Sequence, residues 1–201
     1  MLHQWGFFAS VPLAAVLVGL VANRGLERVA ALAFGVSVVT MFGASALYHR
    51  VTWSPAKRRW LRRLDHAMIY GLIAGTYTPF GLLVLEGAWR VVILAVVWSG
   101  AAVAIGLKLF WVDAPKWLAA AIGIGLGWVG AVVFPQIVDR IGVWGALLLL
   151  LGGVAYTAGG IVYACRRPDP VADVFGYHEV FHALVIVAVA CQYVSVAVFV
   201  L

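Results

Sequence analysis

The chain has 201 residues, of which 65% are hydrophobic and only 11% charged, with a mean hydropathy of +1.04. Soluble domains run nearer half apolar and a quarter charged, so this composition excludes a soluble globular enzyme and defines an integral membrane protein. The net charge of +6 does not point to nucleic acid in so apolar a chain, because basic residues at the ends of membrane helices account for it.

A helix needs about 20 apolar residues to cross the hydrocarbon core. Seven segments meet that requirement in chain order: 4–22, 29–49, 65–85, 90–108, 116–136, 141–164 and 178–201. The first starts at Trp5 and is too long, and too poor in flanking basic residues, for a cleavable signal peptide, so it is expected to stay as a span. The breaks carry nearly all the charge, in strings such as "NRGLER", "RVTWSPAKRRWLRR" and "RRPDPVADVFG". Pro79, in "TYTPF", is expected to kink the third span. Glycines in "GLIAG" and "GIGLGWVG" suit close helix packing. Cys165 and Cys191 lie in apolar surroundings and read as reduced core residues. The spans leave no room for a soluble domain, so residues 1–201 read as one all-α bundle of seven transmembrane helices.

An odd number of spans puts the termini on opposite sides. Ten Lys and Arg fall on the side of the N-terminus, in and around Arg50–Arg63, at Lys108 and Lys116, and at Arg166 and Arg167. Four fall on the other side, Arg24, Arg28, Arg90 and Arg140. The positive-inside rule then places the N-terminus in the cytoplasm and Leu201 outside. The Arg50–Arg63 loop, with "AKRRWLRR", is basic enough to touch anionic lipid headgroups as well as to set the topology.

Ionisable residues within spans are costly in lipid and are functional candidates. Ser45 and His49 close the second span in "SALYH", Asp65 and His66 open the third in "RLDHAMIY", and His178, Glu179 and His182 open the seventh in "GYHEVFH". The second span ends at the cytoplasmic side and the third and seventh begin there, so all three groups share one depth. Ser45 and His49 are spaced i, i+4, as are His178 and His182, which puts each pair on one helix face. Two imidazoles on one face and a third from another helix are a common zinc set, with a carboxylate or water in the fourth position. Asp65 can serve as a ligand, as a water-holding group or simply as a helix N-cap. Ser45 fits a supporting place around the metal. His3 and His66 read as structural, His66 being rotated about 100° from Asp65 on an ideal helix.

The strings "ALYHR", "RLDHAMIY", "GTYTPF" and "GYHEVFH", on these spans, resemble the hemolysin III family, the bacterial relatives of the progestin and adiponectin Q receptors, in a wider group with alkaline ceramidases. The resemblance extends over essentially the whole chain. It implies Zn2+ held by His49, His178 and His182, with Asp65 and Ser45 assisting, and a multi-pass protein of the bacterial inner membrane. It also implies a cytolytic activity of the kind ascribed to some members, although no span carries the continuous polar stripe of a pore. His3 stands where family members often have a His before the first span.

Three functions compete. One is a zinc-dependent hydrolase of a membrane lipid amide or ester, with Asp65 as base and Ser45 steadying the oxyanion. A second is an intramembrane metalloprotease reading His178-Glu179-Val180-Phe181-His182 as H-E-x-x-H, with Glu179 as base. The third is a receptor or membrane-stress protein with structural zinc. A retinal protein is excluded, since the seventh span has no lysine for a Schiff base.

Overall fold

The computed structural model describes residues 2–171 and 174–201, and these are helical almost throughout. The helices are α1 (Leu2–Leu20), α2 (Gly25–Arg50), α3 (Pro55–Leu83), α4 (Gly87–Phe110), α5 (Lys116–Trp128), α6 (Phe134–Cys165) and α7 (Tyr177–Ser195). A 3-10 turn over Val129–Val133 joins α5 to α6, and a π turn over Val196–Val200 extends α7. Among the described residues, five helical stretches are long and apolar enough to cross a membrane, one of them the 50-residue run Lys116–Cys165. Large apolar side chains face outward along them, Phe8, Leu20, Val103, Phe110 and Val198 among them, which is the surface of a protein solvated by lipid tails.

Neighbouring helices run antiparallel. Gly6 of α1 packs on Phe42 of α2, where an added Cβ would come 2.9 Å from the ring. Gly75 of α3 packs so tightly on Ser37 of α2 that any Cβ there would overlap its side chain. Gly159 of α6 faces Phe181 and Leu184 of α7. These contacts place the start of α1, the end of α2, the first half of α3, the end of α6 and the start of α7 at one end of the bundle.

Three expectations change. The third helix begins at Pro55, so "AKRRWLRR" is helical and Asp65 lies well inside α3 and caps nothing. A proline at the first helical turn suits that earlier start, since its missing N–H would have no partner there. α3 also runs through the buried Pro79 to Leu83. Secondly, no loop separates 116–136 from 141–164. The helical path is broken at a single residue, Gly142, with φ 72° and ψ 169°. The Trp128 indole donates to the Thr157 hydroxyl at 3.0 Å and Gly160 packs on Ile124, so the chain folds back on itself about Gly142. That backbone conformation suits a residue without a Cβ. Thirdly, Cys165 is exposed, although both cysteines are free as expected.

Candidate metal centre

All five histidines of the chain gather at one end of the bundle. His49 sits in the last turn of α2, where the helix finishes against the extended residue Val51. His178 and His182 occupy the first two turns of α7, one above the other as the i, i+4 spacing requires, with ring centroids 4.4 Å apart. The start of α7 is held firmly. Glu179 Oε2 accepts from the Gly176 N–H at 3.1 Å, and Asp169 Oδ1 accepts from the Tyr177 N–H at 2.8 Å. Lys116 Nζ donates to the Tyr177 hydroxyl at 2.6 Å and lies 4.8 Å from the Tyr163 ring centroid.

These supports bring imidazoles from helices far apart in sequence into contact. His178 Nε2 is 3.3 Å from His49 Nε2. One nitrogen from each of His49, His178 and His182 falls within 4.8 Å of the others. Two nitrogens bound to one tetrahedral zinc at about 2.0–2.1 Å would stand about 3.3–3.4 Å apart, so the closest pair already has the required spacing. The donor set fits as well, because imidazoles bind a borderline metal and, being neutral, carry no charge of their own into the membrane. Three neighbouring histidines here can hold a metal ion.

Asp65 projects from α3 with its Oδ2 3.6 Å from His49 Nε2, and its side chain is only 9% exposed. Ser45, one turn before His49, is buried and meets an unexpected partner: its hydroxyl lies 2.8 Å from His3 Nδ1. The His3 ring stacks on His182 with centroids 3.7 Å apart and planes 18° from parallel. Sequence reasoning set His3 aside as structural. Its depth was the available signal, since α1 starts at the end of the bundle where α2 finishes. His66 behaves as its rotation on α3 predicts, turning from the cluster toward Tyr163. Glu179, the residue that made the string look like a protease, is occupied with the helix start.

A cavity of about 210 Å³ leads from Asp65, His178 and His182 into the bundle. Its walls are mostly apolar, with Ile69, Ile73, Phe80, Ile93 and Leu149 contributing. Lys108 also lines it. Counted from sequence as an interfacial charge, Lys108 is 3% exposed.

The haemolysin-III-related family model matches residues 1–193. The chain belongs to that family. It is 32% identical to the hemolysin-3 homolog of Bacillus subtilis over 196 residues, covering 96% of this chain and 89% of the relative. It is 30% identical to hemolysin-3 of Bacillus cereus, covering 99% of this chain and 89% of that protein. A more distant relative, the heptahelical transmembrane protein ADIPOR2 of rice, is 29% identical over 88% of this chain and 84% of its own length. This family membership and the apolar helices make the chain a multi-pass protein of the bacterial cell membrane.

Proposed function

We propose that this haemolysin-III-related protein is a zinc-dependent hydrolase of a membrane lipid amide or ester. The observation that carries the reading is the 3.3 Å approach of His49 Nε2 to His178 Nε2, with His182 beside them, at the polar end of an apolar cavity. His49, His178 and His182 would hold the ion. When bound, zinc supplies Lewis acidity toward a carbonyl and brings the pKa of a water in its open position to about 7.

The chain's own residues have separable parts in this reading. The cavity takes the alkyl chain and shields the reacting bond from bulk water. Asp65 accepts the proton of the attacking water at its carboxylate and passes it to the leaving group. Ser45 donates its hydroxyl hydrogen toward the developing oxyanion. That direction requires His3 to carry its proton on Nδ1 and donate to Ser45 Oγ, which makes His3 a positioning residue.

Seven crossings with the N-terminus in the cytoplasm belong to the same proposal. They are supported by the antiparallel packing, the reversal at Gly142 and the ten-to-four division of Lys and Arg. The relative from rice is itself called heptahelical. The basic first turns of α3 would then lie against anionic headgroups of the inner leaflet.

A second reading is favoured by one distance. Asp65 Oδ2 at 3.6 Å from His49 Nε2 is nearly close enough to close the coordination sphere as a fourth ligand. A closed site would suit structural zinc in a receptor-like or membrane-stress protein. The metalloprotease reading loses support, because its base would be Glu179, whose carboxylate is bound to the Gly176 N–H.

The test is direct. Purified wild-type protein should contain about one zinc and His178→Ala little or none. The loaded protein, offered a panel of lipid amides and esters, should show turnover that His182→Ala abolishes. Zinc-free wild type would overturn the metal site, and zinc without turnover on any substrate would leave the structural reading.

A further inference from the structure

We propose that Lys108 forms an anion subsite in the cavity beside the histidine cluster, so that the lipid taken there carries an acidic head group, a phosphate monoester or a carboxylate. This rests on the reading that the cavity admits a lipid, and it names the class.

Lys108 lies in the last turn of α4. A lysine near a helix end in a membrane normally snorkels to water, laying its stem along apolar surface and keeping its ammonium wet. Lys108 as a residue is only 3% exposed, and it lines the cavity. Among the described residues it has no hydrogen-bond or ion-pair partner. The acids nearby are engaged elsewhere. Asp113 is 74% exposed and takes a 2.8 Å bond from Arg62, and Asp65 sits against His49. The end of α4 presents carbonyls that attract a cation, but that attraction acts equally at the surface and does not require burial. An ammonium without a hydrogen-bond partner of its own is free to pair with an anion that enters the cavity.

Two further residues that line the same cavity carry buried polar atoms without partners, His66 Nδ1 and Tyr156 Oη. A tyrosine hydroxyl donates, and His66 donates from Nδ1 in the corresponding tautomer. A cation and two donor-bearing side chains lining one cavity suit an acceptor-rich anion. The rest of the wall is aliphatic and aromatic, which fits an alkyl chain and not a free inorganic ion. The two requirements together describe an acidic single-chain amphiphile.

The experiment uses full-length metal-loaded protein in nanodiscs of zwitterionic lipid. Binding of dodecyl phosphate, of the neutral ether octaethylene glycol monododecyl ether, and of inorganic phosphate is followed by tryptophan fluorescence. Wild type should bind dodecyl phosphate about tenfold or more tighter than the neutral ether. Lys108→Gln should bring the two probes together without changing the neutral one, and Lys108→Arg should keep the preference. Arg28→Gln, at an exposed position in the first turn of α2, should change nothing, which separates the subsite from general attraction to a basic protein. If Lys108→Gln does not fold, Lys108→Met removes the same charge and leaves an apolar side chain in an apolar wall. Equal binding of the two amphiphiles by wild type, or a preference that survives loss of the charge, would overturn the proposal. Displacement of dodecyl phosphate by equimolar inorganic phosphate would overturn its lipid part. None of these readings needs turnover, so a protein that hydrolyses no lipid would defeat the proposed function and leave this one standing on its affinities.

Discussion

His3 and Ser45 are 42 residues apart in sequence and joined by a 2.8 Å hydrogen bond in the buried end of the bundle. The same imidazole stacks on His182. One side chain therefore holds both the hydroxyl and one of the three clustered histidines. His3→Ala is expected to weaken metal affinity about tenfold and lower kcat further, since residues that orient metal ligands typically matter at the 10–100-fold level. Competition with a zinc-chelating dye checks the first effect. An unchanged affinity would reduce His3 to packing.

Asp65 separates the two leading readings. As a proton carrier, Asp65→Asn should leave zinc bound within about threefold and lower turnover by about 10²-fold or more. As a fourth ligand, the same change should cost at least about tenfold in metal affinity. Zinc content and single-turnover rates on the same preparation distinguish them.

Metal removal should be read alongside folding. His49, His178 and His182 come from α2 and α7, so zinc is expected to tie these helices together. Chelation should lower the thermal midpoint, and excess zinc should raise it in proportion to the logarithm of its concentration. His49→Ala should be insensitive to both.

Glu179→Gln tests the protease reading from the other side. The Gly176 N–H keeps an acceptor in the amide oxygen, so stability should fall by no more than about 0.5–1 kcal/mol. Activity should persist. A complete loss of turnover with an intact fold would restore Glu179 as the base.

Gly75→Ala tests the packing that sets the site's frame. The added methyl would overlap Ser37 and come 3.0 Å from the Ala33 carbonyl oxygen. Pushing α2 from α3 should cost about 1–3 kcal/mol, seen as a lower thermal midpoint. It should also weaken zinc binding, because His49 and Asp65 ride on those two helices.

Much of this was legible in the residues alone. Apolar segments of membrane-spanning length specify helices, because lipid offers no partner for an unpaired backbone group. The i, i+4 spacings of Ser45 with His49 and of His178 with His182 fixed which side chains share a face. Alternating helix direction then brought three distant strings to one depth. Where α3 starts was not legible, because its basic first turns do not look apolar and helices extend beyond the membrane without needing to be. The reversal at Gly142 was hidden too, since a turn made by one residue leaves no polar string. Tertiary structure decided what depends on rotation about each helix axis and on the distances between helices. It brought His3 onto Ser45 and His182, tied Glu179 to the helix start, and enclosed Lys108 in a cavity wall. Periodicity states which residues share a face, but only packing states what each face meets.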